Sequence, residues 1–191
     1  MGACPAMIPT LHYRTELRWT KERETSLAPG DDALIVMAAN RRLFKRWMEA
    51  GHGEWMVPRD AFDVMDLADM VGSLCVYDRD EARDDYLCRV FGGSVAEDLG
   101  VDMTGRYLSS YPERLHRVVR DQYDLVMASR RPLVNTYRVV RVELADGFQR
   151  EDRRFLHEKI ILPVTRTGRA IECLITHVAR MPTDAVAGNG A

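Results

Sequence analysis

The sequence predicts an α+β fold in which a five-stranded antiparallel sheet carries helices on one face, preceded by an N-terminal amphipathic helix. Three observations carry that reading. Two short apolar runs flank the acidic reversal DRDEARDD at 78–85, an amphipathic stretch occupies 112–129, and a Val- and Tyr-rich tract from 133 to 179 is broken twice by glycine-containing turns. Strands that follow one another through hairpins or one helical crossover form an antiparallel sheet with helices laid on it.

Residues 1–30 are polar, hold three prolines, and show helical spacing only in RTELRWTKERET, with little apolar face. They read as a flexible arm. Residues 31–51 read as a helix: Asp31 is a cap, Leu34, Met37, Phe44 and Met48 with Val36, Leu43 and Trp47 make a broad apolar stripe, and Gly51 suits the C-terminal position. Arg41, Arg42, Lys45 and Arg46 weight its C-terminal half, which favours the helix dipole. The stripe is wide enough to serve the core and a second copy, so a homodimer through this helix is expected. A connector containing Pro58 runs on to residue 67.

The sheet domain is expected over 68–180. A short helix at 64–70 leads to a strand at 71–77, and DYLCRVFGG supplies its hairpin partner, ending at Gly92-Gly93, where two glycines suit a tight bend. Ser94 and Glu97 form a capping box for one turn closed by Gly100. The long helix at 112–129 starts with Pro112, with Leu115, Val119, Tyr123 and Val126 on one side and Arg114, Arg117 and Arg120 on the other. Strands at 133–144, 155–164 and 169–179 form a meander, and residues 181–191 lack the apolar groups that would order them.

At 191 residues and 46% hydrophobic content, one domain is expected. Lys+Arg 27 against Asp+Glu 29 leaves a net charge of -2, which offers no field for nucleic acid or an anionic membrane. No stretch approaches the roughly 20 apolar residues of a bilayer span, so a cytoplasmic protein is expected. Cys4, Cys75, Cys88 and Cys173 are scattered and read as reduced core thiols, with Cys75 and Cys88 able to meet across the first hairpin.

Arg89, Tyr107, Tyr123 and Tyr137 are the polar groups placed to converge on the space between sheet, loop and helix, as a small acid or aromatic ligand would need. The alternative is that Arg89 pairs with Glu158 and the tyrosines cap the core. Nucleophile elbows, phosphate loops and the zinc motif H-E-x-x-H are absent from the sequence, so no catalytic or metal-binding residue is assigned. His157 and His177 alternate with apolar residues on strands, where an acid/base pair with a carboxylate is conceivable.

Several short motifs, in order, carry a resemblance: WMVPRDAFD (Trp55, Pro58, Arg59, Asp63), CRVFGG (Arg89, Gly93), MTGRYL (Thr104, Gly105, Tyr107), RRPL (Pro132) and HEKIILPVTRTG (Glu158, Leu162, Pro163, Gly168). With the order of elements, they resemble the PAS fold over about residues 68–180, and more specifically stand-alone bacterial PAS-like proteins of about this length. Gly92-Gly93-Ser94 departs from the Gly-Thr frequent in such families. The resemblance implies a small internal pocket and a sensory or ligand-binding role. It also makes His116 on the long helix a candidate haem ligand, as in haem-binding PAS sensors. The cysteine-bearing helix of light-sensing PAS domains has no counterpart in SVAEDLGVDMTGRYL. The cofactor is left open. No kinase, cyclase or DNA-binding segment accompanies the domain, so signalling through association with an unknown protein partner is expected. The alternatives are a ligand-free interaction module and a small-molecule enzyme.

Overall fold

The computed structural model describes residues 14–52, 57–62, 67–145 and 148–182. The elements run β1 (Arg14–Ser26), α1 (Ala38–Ala50), β2 (Leu74–Asp80), β3 (Asp85–Phe91), α2 (Gly93–Leu99), α3 (Glu113–Ser129), β4 (Leu133–Ala145), β5 (Phe148–Val164) and β6 (Cys173–Met181). The strands form one antiparallel α+β sheet of six, in the order β1-β4-β5-β6-β2-β3. The hairpin β2–β3 and the meander β4–β5–β6 follow the sequence reading, and α2 and α3 make the crossover between them.

The sixth strand corrects the expectation of a flexible arm. Residues 14–26 pair along the whole of β4, with a bulge between Lys21 and Arg23. In this stretch a half-buried Trp19 lies between exposed Arg18 and Thr20, which is the period of two that an edge strand needs. Its charges disguise that period and also blunt the edge against pairing with other chains. Residues 1–13 and the tail from 183 lie outside the described residues, as do 63–66 of the short helix expected at 64–70; residues 67–70 form a turn.

Helices cover both faces of the sheet, not one. Along β5, Phe155 and Ile161 join the core under α2 and α3, whereas Ile160, Leu162 and Val164 join a second core with Leu43, Phe44 and Trp47 of α1. The run Ile160-Ile161-Leu162 carried this signal, because a strand buried on both faces reads as continuously apolar. The helix expected over 31–51 is also interrupted. Asp31–Leu34 is a short 3-10 turn, the chain is extended at Ile35 and Met37, and the α-helix starts at Ala38. Its apolar stripe is spent on the chain's own sheet, leaving Leu34 and Val36 exposed at 40% and 47%.

A buried polar network pins α1 in place. Glu158, on β5 and wholly buried, accepts hydrogen bonds from Val36 N at 2.7 Å, Met37 N at 2.8 Å and Asn40 Nδ2 at 3.0 Å. It thus satisfies backbone donors at the helix entrance that no local side chain caps. Asn40 Oδ1 accepts from His177 Nδ1 at 2.6 Å, which assigns the proton to that nitrogen. Burial, with help from the Arg42 cation, pushes His177 down to about 4, so the ring is neutral at physiological pH. Trp47 Nε1 donates to Pro163 O at 2.7 Å and ties the middle of the helix to the same strand.

Two details differ from the sequence reading. Ser94 does not cap α2: the helix starts at Gly93, and a Cβ on Gly92 would lie 2.4 Å from Gly72 O, so close backbone approach requires the glycine there. Cys75 and Cys88 do not face each other, because the register sets Cys75 against Phe91 and Cys88 against Tyr77.

Glu158→Ala strands three donors on the α1 side of the sheet. A loss on the order of 3–5 kcal/mol is expected, read as a lower urea midpoint at unchanged slope. A loss below about 1 kcal/mol would mean that α1 is held by its apolar stripe alone.

Candidate functional site

Between α3 and the sheet lies a narrow chamber of about 30 Å³, walled by side chains from nearly every element. β1 supplies Trp19, β2 Cys75 and Tyr77, α3 Tyr123, β4 Tyr137, β5 Lys159 and β6 Thr176. Trp19 and Tyr137 stack with centroids 3.9 Å apart, a diagonal cross-strand pair that fixes the edge strand to the sheet. Tyr123 meets Tyr77 at 5.0 Å and Tyr86 at 5.2 Å, and the Tyr77 and Tyr111 hydroxyls are 3.3 Å apart. Burial holds the Tyr77, Tyr123 and Tyr137 hydroxyls well above their ordinary range, so they remain protonated donors.

Lys159 stands in this wall at 4% exposure. Its Nζ donates to the neutral Gln122 Oε1 at 2.7 Å, and Gln122 Nε2 in turn donates to Glu24 Oε2 at 3.0 Å. The rings of Tyr123, Tyr137 and Trp19 surround the ammonium, with centroids 5.5, 5.8 and 6.0 Å away. None of the described carboxylates bonds it directly. Directly across the ladder sits Asn135 of β4, wholly buried, and neither its amide nitrogen nor its oxygen has a hydrogen-bond partner. The Trp19 indole N–H is likewise buried without a partner. Burial pushes Lys159 down to about 8, offset only in part by Glu24.

Of the residues singled out in sequence, Tyr123 and Tyr137 reach the chamber. Arg89 is exposed on β3 and pairs with Asp78 at 2.5 Å, not with Glu158, because Glu158 points to the opposite face toward α1. The Tyr107 hydroxyl donates to Asp80 at 2.8 Å at the hairpin, away from the chamber. His116 is half-buried with Nε2 unpartnered, and it is not among the chamber-wall residues. Cys75 is a wall residue, and burial raises its thiol to about 11, so it is no thiolate.

Lys159, Asn135 and Trp19 escaped the sequence reading. A signal existed for Lys159: on the parity that carries Phe155 and Ile161 into the α3 core, a lysine interrupts an apolar strand. Trp19 was hidden in what read as an arm.

No family model matches the chain, and no curated protein or solved structure is significantly similar to it.

One further pair has chemistry. His157 Nε2 lies 2.9 Å from Asp98, and Arg180 bonds the same carboxylate. His157 is 2% exposed and sandwiched by Phe155 and Tyr137, and burial holds its pKa below the ordinary value. Among the described residues no cluster of three or more His, Cys, Asp or Glu is arranged to hold a metal, and no helix is long and apolar enough to cross a membrane.

Lys159 weighs against the folded state at neutral pH. A base whose pKa falls from 10.5 to about 8 on folding binds fewer protons folded than unfolded between those values, so stability rises with pH across that window. Below it the penalty is on the order of 3 kcal/mol. Lys159→Met, which keeps the volume and removes the charge, is therefore expected to raise the melting temperature at pH 7 by roughly 5–10 °C in calorimetry. A fall in melting temperature would make Lys159 a structural support.

Proposed function

We propose that this chain is a PAS-like sensory domain that binds a small molecule beside Lys159 and acts in signalling through protein association. The carrying observation is the buried ammonium with no bonded counter-charge, set opposite an Asn135 amide with no partner. Desolvation opposes burial of that ammonium, and an incoming acceptor would relieve the cost. The order of elements supports the reading: a hairpin, a short and a long helix, and a three-stranded meander enclose a small chamber, as the resemblance implies. Ligand occupancy would act on β5, where Glu158, the residue next to Lys159, anchors α1 on the other face. Since the α1 stripe is internal, a homodimer through residues 31–51 would use the outer side, where Leu34 and Val36 are exposed.

A ligand-free interaction module is the second reading, favoured by the small volume left by the aromatic side chains. The enzyme alternative requires an open cavity holding a histidine and a carboxylate; His157 and Asp98 are within reach of each other, but the ring is sealed between aromatic side chains.

Native mass spectrometry of freshly purified protein, with an absorption spectrum of the same preparation, separates these readings. The sensory reading predicts a retained mass displaced on mild activation, and a Soret or flavin band would name a cofactor. Apo protein alone, under conditions that preserve weak complexes, would shift the assignment to the interaction module.

A further inference from the structure

Resting on the sensory reading, the geometry points to a specific ligand class: a small monocarboxylate with an aromatic or apolar body, its carboxylate held by Lys159 and its body lodged between β1 and α3, with Gln122 and Trp19 as the gate.

The recognition groups in the chamber wall are the Lys159 ammonium and the Trp19 indole N–H, and the Asn135 amide lies across the ladder from Lys159, outside that wall. The ammonium has three N–H bonds, of which the contact to Gln122 uses one. The Asn135 amide and the Trp19 indole N–H are buried without partners on the strands flanking Lys159 and the edge beyond. Leaving such groups unpaired is unfavourable, and a ligand acceptor removes that penalty. A carboxylate accepts through both oxygens and cancels a single positive charge. Aromatic rings form much of the remaining wall and suit an apolar or aromatic body.

Room is available on the far side of the gate. A chamber of about 30 Å³ holds little more than a water. Trp19 also lines an outer groove of about 310 Å³ between β1 and α3, together with Gln122, Lys21, Glu24, Arg114 and Asp121. That volume is at the lower end of small-molecule sites. With Gln122 and Trp19 rotated aside, a carboxylate in the groove would take the place of Gln122 Oε1 as the acceptor for Lys159. Two cations and two carboxylates line the groove, so it adds no net charge, which limits the ligand to a single negative charge and disfavours phosphate esters.

The test is calorimetric titration and thermal shift of the full chain with phenylacetate and its neutral isostere phenylacetamide. The proposal expects saturable binding of the acid, at least tenfold weaker binding of the amide, and loss of acid binding in Lys159→Met, whose retained melting transition shows that it folds. Equal binding of acid and amide, or acid binding that survives Lys159→Met, overturns the proposal while leaving a ligand-binding domain. If neither compound binds, the proposal falls; a mass retained in the native spectrum then keeps the sensory reading, and its absence removes both.

Discussion

Along β5, two ionisable side chains in succession are buried on opposite faces of the sheet, and much of the molecule is arranged around the difference between them. Glu158 is met by two backbone N–H groups and the Asn40 amide, so its burial is repaid by hydrogen bonds that also fix where α1 begins. Lys159 is met by one neutral amide oxygen and by ring faces. A buried charge is tolerated when its desolvation is matched by partners, and becomes a liability when it is not. The back of the sheet is a completed polar network, whereas the front retains unspent donors.

That asymmetry sets a closed polar network on one face against incompletely paired groups on the other. Asn40, Glu158 and His177 are all buried, and each has a hydrogen bond to another member of the group. Such networks make a core unique. Asn135 and Trp19 break the rule that buried polar groups are paired, on the two strands that lie beyond Lys159 in the sheet. The edge strand β1 takes part in both roles: its charged outer residues protect the sheet edge, and Trp19 closes the chamber by stacking on Tyr137.

The sequence made the long helix legible through its single buried face, and the hairpin and the meander legible as apolar runs bounded by turn residues. It concealed β1, where a single tryptophan among charged residues is too little apolar signal to distinguish an edge strand from an arm. It also concealed that α1 lies behind the sheet, although the uninterrupted Ile160-Ile161-Leu162 run shows that both faces of β5 need cover. Tyr123 and Tyr137 were legible as site residues from their places on helix and strand. Arg89 was misleading, since its position on β3 turns it to solvent beside Asp78. The signal for Lys159 was its parity with Phe155 and Ile161, which sets a lysine on a buried face of the strand.

The most direct measurement is the titration of Lys159 itself, followed through the 13Cε resonance of lysine-labelled protein and assigned by its loss in Lys159→Met. The account predicts a midpoint near 8, moving upward when an anion is bound beside it, because a counter-charge favours the protonated form. A midpoint near the ordinary lysine value of about 10.4, unmoved by ligand, would show that Lys159 is solvated or already paired, and would contradict the central claim.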